Sequence, residues 1–259
     1  EEAQEAALKA ADIEAADADI SATTLYIWIN PVAENMYTRE ALGCFLKKHG
    51  LIQVRCNKDW GAVVKEKYKA QVGAGPDTVA DMRCPVAGRM AADYLHRQGE
   101  HGSGEPIRGK QGPSLVIPDI EPILIHCARE ISGRRDLCDG QKLITTPCQA
   151  LADAGNALKL KDTRFLTWNG LLQELGDTVE GACAEYAVQA GVKTCLKSSP
   201  IPPGFFENLG IDTVSLTGEE NIREYFEGKS WKQVRLVEML CCHMGCHNGD
   251  GVTTDEKKV

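Results

Sequence analysis

The sequence lacks any apolar run long enough to span a membrane, and it carries no recognisable secretory signal. It also lacks an excess of positive charge: 29 Lys and Arg stand against 37 Asp and Glu, for a net charge of −8. Binding to phosphate backbones needs a basic surface, so nucleic acid is excluded as a partner. The acidic balance suits contact with basic surfaces of partner proteins. No nucleophile-elbow or phosphate-loop pattern occurs, and Gly73-Ala74-Gly75-Pro76 reads as a turn, which sets hydrolase and nucleotide-binding chemistry aside. There is no low-complexity tract and no clear internal repeat. The expected location is the cytoplasm. Because the chain opens on Glu1 and not methionine, it leaves room for a leader or an upstream domain.

Cysteine is abundant instead. Eleven of 259 residues are cysteine, about twice the usual count for a cytosolic protein of this size. An odd number without a secretory signal disfavours a disulfide framework and favours metal binding, with small core hydrophobes as the alternative for any one thiol. The chain is long enough to bury a sizeable core, in one large domain or two small ones.

Residues 1–23 are rich in Ala, Glu and Asp with little apolar periodicity, and read as an acidic helical extension or linker. From there short apolar runs alternate with amphipathic stretches. Strands are expected at 25–29, 51–56, 78–82, 142–146, 164–168, 213–216 and 234–240. Helices are expected at 38–49, 60–72, 86–98, 119–132, 149–160, 169–175, 180–196 and 218–228. Helix 38–49 shows an apolar stripe of Ala41, Leu42, Phe45 and Leu46. A Gly-rich loop spans about 99–116, and Ser198–Gly204 marks the best break in the C-terminal half. This alternation predicts an α/β protein with mostly parallel sheets.

Four cysteines share one structural address, directly after predicted strands: Cys84, Cys148, and the C-x3-C pair Cys242 and Cys246. In parallel sheets the carboxyl ends of strands gather along one edge, where ligand sites form. Four thiolates from three strand ends can close around one 4Fe-4S cubane, with the helix N-termini at Pro85 and Gln149 offsetting its charge. Glycines in the tail Gly245–Gly251 allow close wrapping of the backbone. Cys241 competes with Cys242 for register. His243 and His247 are donors to the ligand loop, or with Cys242 and Cys246 form a Cys2His2 zinc site. Cys127 and Cys138 with Cys148 offer a further metal set, although Cys127 falls mid-helix and reads as core. Cys44, Cys56, Cys183 and Cys195 read as packed thiols.

Three segments resemble the signatures of the iron-only (FeFe) hydrogenases and their non-hydrogenase relatives. Arg83-Cys84-Pro85 is similar to that family's Cys-Cys-Pro. Pro147-Cys148-Gln149-Ala150-Leu151 resembles its Pro-Cys-Thr-Ala-Lys, and the stretch from Glu238 to Cys246 resembles its Glu-x-Met-Ala-Cys-Pro-Gly-Gly-Cys. Fainter likenesses are Ile29-Asn30-Pro31, Ile117-Pro118-Asp119-Ile120 (against Ser-Pro-Gln-Gln), and Val179 to Glu185. The resemblance covers nearly everything after residue 24, with a shortened central part. It implies two mostly parallel-sheet lobes, placed at 24–110 and 111–259, with a cluster held between them by Cys84, Cys148, Cys242 and Cys246.

The departures bear on activity. Arg83 stands where the family has a proton-shuttling cysteine, and Leu151 where it has a lysine that pairs with a cyanide ligand of its diiron site. Ile117, Thr146 and Leu240 replace a serine and two methionines. A buried anionic diiron unit needs hydrogen-bond donors, which Ile and Leu do not supply. Asp59, Lys65 and Glu66 fall where the family carries acids for proton exit, and read equally as a solvated helix face. The resemblance therefore implies a degenerate member: a 4Fe-4S subunit passing electrons to other redox subunits of an anaerobic oxidoreductase complex, without catalysis of its own. The alternatives are an active or sensory hydrogenase with an unusual diiron site, and a cluster-free structural subunit.

Overall fold

The protein was examined as a computed structural model, which describes residues 23–97, 113–178 and 203–252. The expected extension, most of the Gly-rich loop and the helix at 180–196, with Cys183 and Cys195, lie outside the described residues. Two four-stranded, wholly parallel sheets organise the rest. The first has the order β2-β1-β5-β6, built from β1 (Thr24–Trp28), β2 (Leu51–Gln53), β5 (Gly140–Thr146) and β6 (Thr163–Thr167). The second has the order β4-β3-β8-β7, from β3 (Thr78–Ala80), β4 (Leu115–Val116), β7 (Thr213–Thr217) and β8 (Leu236–Leu240). The expected α/β class is observed. The lobes are not the consecutive stretches 24–110 and 111–259, because each sheet draws strands from both sides of residue 110.

The helices follow from periodicity and capping. In α2 (Arg39–Lys48) the buried residues are Ala41, Leu42, Phe45 and Leu46, the stripe read from the sequence, and the Thr38 hydroxyl accepts from Ala41 N at its start. The Asn30 side chain caps α1 (Pro31–Glu34), and Pro31 supplies the preset φ of a first helical residue. Asp59 caps α3 (Trp60–Gly73) by accepting from Ala62 N at 2.9 Å, and Thr167 caps α7 (Trp168–Glu174). Helix α5 (Ile123–Gly133) starts later than expected, because a residue before proline is disfavoured in the α region and Pro122 therefore fixes the boundary. The remaining helices are α4 (Pro85–Arg97), α6 (Gln149–Ala157) and α8 (Glu219–Glu227).

Strands β5 and β8 form the inner spine of their sheets. All five residues of β8 are buried, and Leu236, Val237 and Met239 have no exposed surface. Burying such side chains contributes about 1.5–3 kcal/mol each. Glu238 is buried in the middle of that strand, a charge that must be satisfied in place. In both sheets the strand order reverses at the inner pair, β1 beside β5 and β3 beside β8. Such reversals leave crevices at the carboxyl ends of the strands. Helices α4 and α6, which leave β3 and β5, pack against each other. Both crevices thereby face one region.

Candidate metal centre

Each of the four predicted cysteines lies at the carboxyl end of an inner strand. Cys84 precedes α4 after β3, Cys148 is the N-cap residue of α6 after β5, and Cys242 and Cys246 follow β8. The thiols are close enough to perturb one another. Burial is the main cause that raises the Cys148 thiol to about 11; Cys84 and Asp250 add to it, while N–H groups of Leu151 and Ala150 oppose it. Burial, then the neighbouring Cys148, Cys84 and Cys241, push Cys242 up to about 12. Cys246 is raised further in the same direction, by burial first and then by Cys84, Cys242 and Cys148. Cys241 interacts with Cys84 but lies against the β8–α8 core, whereas Cys242 senses both Cys84 and Cys148.

Among the described residues, no group of three His, Cys, Asp or Glu side chains closes tightly enough to hold a single metal ion. Neither the Cys2His2 set nor the Cys127, Cys138 and Cys148 set is gathered. Sulfurs around one zinc stand only about 3.8 Å apart in a tetrahedron of 2.3 Å bonds. A cubane places each thiolate on its own iron, so its ligands stand wider. Four soft thiols that perturb one another are a donor set chemically suited to thiolate-bound iron or zinc.

The tail is fastened onto the Cys148 turn. Gly251 N donates to Pro147 O at 3.1 Å, Gln149 N donates to Asp250 Oδ1 at 3.1 Å, and Asn169 N donates to Gly251 O at 2.9 Å. A Cβ on Gly251 would lie 2.8 Å from Thr167 Cβ and 2.9 Å from Cys148 N, so only glycine admits this approach. Met244 and Gly245 both take positive φ, +59° and +118°, to turn the chain between Cys242 and Cys246.

Arg83, beside Cys84, is locked. Its Nε lies 3.0 Å from both Asp81 carboxylate oxygens, and one terminal nitrogen is 2.7 Å from Asp81 and 2.7 Å from Glu238. Both carboxylates are fully buried. Glu238 also accepts from Ser215 Oγ at 2.5 Å, Gly204 N at 2.8 Å and Phe205 N at 2.9 Å. The guanidinium stacks over Phe205 at 4.1 Å and Phe206 at 4.6 Å. Burial works against the Arg83 charge, but Asp81 and Glu238 outweigh it and hold the group more firmly protonated than usual. For Glu238, burial alone would raise the carboxyl; Ser215, the Arg83 charge and the two backbone donors outweigh it and hold it below its usual range.

Next to Cys246 opens a cavity of about 590 Å³ bordered by residues from all four inner strand ends, among them Trp28, Arg83, Pro147 and Leu240. Leu151, Ile123 and Leu124 form much of its wall. Pro122, Ile123 and Leu124, at the start of α5, line the cavity, whereas Ile117 packs, partly buried, against the core around α4 and α8. Asp59 borders the cavity as a helix cap, and the Lys65 ammonium lies 4.6 Å from the Phe205 ring. Of the cysteines expected to be packed, Cys44 is exposed, off the apolar stripe of α2, whereas Cys56 packs, partly buried, against the core around Ile144 and Phe165 and also borders the cavity.

Solved structures share this arrangement. An FeFe-hydrogenase studied for oxygen inactivation through its H-cluster 2Fe subcluster superposes with a TM-score of 0.52 at 12% identity, over 93% of this chain and 83% of that one. A variant of the FeFe-hydrogenase HydA1 from Chlamydomonas reinhardtii gives a TM-score of 0.50 at 14% identity over the same shares. The fold is that of the FeFe hydrogenases. No protein-family profile and no curated protein matches the sequence. At these identities the hydrogenase-like architecture is shared, and the side chains of the crevice are this chain's own. The Asp81–Arg83–Glu238 cluster escaped the sequence reading, because Glu238 lies 155 residues beyond Arg83. Its one local signal was a charged pair, Asp81 and Arg83, at the end of a buried strand.

Proposed function

We propose that this chain is an iron–sulfur protein that relays electrons among the redox subunits of a larger anaerobic oxidoreductase, without turning over hydrogen. Cys84, Cys148, Cys242 and Cys246 would hold a 4Fe-4S cluster, which when bound supplies one-electron transfer. The N-termini of α4 and α6, which begin at or directly after Cys84 and Cys148, direct backbone N–H groups toward that negative charge. The four thiols are partly buried, and their burial would bear on the potential of the site.

The observation that carries the reading is Arg83. A proton relay must release and recover its proton near the working pH. Arg83 is a permanent cation, pinned by two buried carboxylates and lying against two phenyl rings, so it does neither. The cavity beside Cys246 is the feature that favours the rival reading, a hydrogenase with an unusual diiron site. Leu151, Leu240 and Ile123 on its wall offer no hydrogen-bond donor to a buried anion.

The test is co-expression with hydrogenase maturation factors, followed by infrared spectroscopy and hydrogen–deuterium exchange. The relay reading expects neither CO nor CN bands and no exchange. Either signal, abolished by Cys246→Ser, establishes a hydrogenase. In the native complex, Cys246→Ser should also remove the activity of the whole assembly; full activity after cluster loss would make the chain a scaffold.

A further inference from the structure

Two cysteines outside the cluster set are neighbours on the wall of the cavity. Cys56 follows β2 and Cys127 lies within α5, so 71 residues separate them in sequence. Cys56 Sγ stands 3.9 Å from the Cys127 carbonyl oxygen, and the two thiols also interact side chain to side chain. Both border the cavity of about 590 Å³. Cys127 is 6% exposed, whereas Cys56 is partly open to the cavity. Packing alone would leave both thiols apolar and enclosed.

The loop carrying Cys56 is fixed to the helix carrying Cys127. Glu130 accepts from Asn57 N at 2.5 Å and from Trp60 Nε1 at 2.7 Å, and Arg134 donates to Arg55 O at 2.8 Å. The frame therefore holds the Cys56 side chain against the Cys127 backbone, so the two cysteines are fixed neighbours on the wall of one cavity.

We propose that Cys56 and Cys127 form a redox-active dithiol that exchanges with low-molecular-weight disulfides entering the cavity. Cys56 is the attacking thiol and Cys127 the resolving one. The Cys56 sulfur attacks one sulfur of the incoming disulfide, whose S–S bond breaks and releases a thiolate that takes up a proton. Cys127 then loses its proton and attacks the Cys56 sulfur of the mixed disulfide, expelling the second thiol. Two protein thiols and one external disulfide give one protein disulfide and two external thiols.

The local chemistry matches these roles. The neighbouring Cys127 side chain is the main cause that lowers the Cys56 thiol, aided by Arg134 and Trp28 against burial and Glu130. The same contact, with burial, raises Cys127. An accessible, more acidic thiol backed by an enclosed one is the usual order of attack and resolution. The cavity volume suits a small molecule, and Lys58 and Lys65 on its rim complement carboxylates on such a disulfide. Neither Cys56 nor Cys127 is a cluster thiol, although Cys246 borders the same cavity, which is why iron is followed in the test.

The test uses the full chain, purified without oxygen, with iron measured in parallel. Protein is equilibrated with graded ratios of reduced to oxidised glutathione, free thiols are alkylated, and peptides are mapped by mass spectrometry. Wild-type protein should yield a Cys56–Cys127 linked peptide pair with a single midpoint. Cys127→Ser should accumulate one glutathione on Cys56, while Cys56→Ser should leave Cys127 about tenfold less reactive than Cys56 is in wild type. The exposed Cys44 and Cys138 act as internal controls that take up glutathione singly. If wild-type protein keeps both thiols free where Cys44 and Cys138 are modified, the dithiol site is refuted. A persistent adduct on Cys56 without the link refutes it equally. The wild-type mapping decides the matter even if a variant folds poorly.

Discussion

Replacing Arg83 with leucine should be severely destabilising, and the structure gives the size of the effect. The change removes a cation held by four N–H to oxygen contacts of 2.7–3.0 Å from between two carboxylates with no exposed surface. Glu238 keeps Ser215, Gly204 and Phe205 as donors, and Asp81 keeps the backbone N–H groups of residue 83 and Met239, but no counter-charge remains. Breaking a buried pair by removing one partner costs about 3–5 kcal/mol. For a chain of this length that corresponds to a fall of roughly 6–20 °C in Tm. The pH dependence follows from Glu238, whose folded pKa is depressed. Its contribution is present in full above its unfolded pKa of about 4.3 and is lost as pH falls through the folded value. The gap between wild type and Arg83→Leu should therefore be widest at neutral pH and narrow on acidification. Thermal melts of anaerobically purified protein at several pH values measure this. A shift below about 2 °C at neutral pH, or a gap that widens in acid, would refute the buried clamp.

Changing Cys148 or Cys246 to serine should lower the iron content sharply, whereas Cys44→Ser should leave it unchanged, as elemental analysis will show. Gly251→Ala forces a methyl group into Thr167 and the Cys148 backbone, and should cost about 1–3 kcal/mol and loosen the tail, read as faster iron loss to a chelator. Because Cys148 and Cys242 have thiols raised to about 11 and about 12, cluster binding must displace protons from them. Chelator-driven iron release should accordingly accelerate as pH is lowered from about 8 to about 6.

Local order was largely legible in the sequence. The stripe Ala41, Leu42, Phe45 and Leu46 and the caps Thr38, Asp59 and Thr167 are short-range signals, and the elements they define fall within a few residues of expectation. The placement of the four cysteines after strands was legible for the same reason, since a strand end is a local property. Pairings between distant segments were not. Nothing in the β1 run specifies β5 as its neighbour, 115 residues away at the Asn30–Thr145 contact, so chain-contiguous lobes were expected where the sheets interleave. Likewise, the Arg83–Glu238 and Cys56–Cys127 contacts join residues whose local surroundings resemble any strand end or helix interior. The offset at the start of α5 arose because the apolar pattern already runs from residue 119, whereas Pro122 holds the backbone extended up to Ile123.

The central claim is that four thiols from three strand ends hold one cubane. Iron and acid-labile sulfide per chain, measured on anaerobically purified and reconstituted protein, test it most directly. The account predicts about four of each, falling toward zero in a Cys148→Ser, Cys246→Ser double variant. Stoichiometric zinc with no iron, or wild-type iron retained in the double variant, would contradict it.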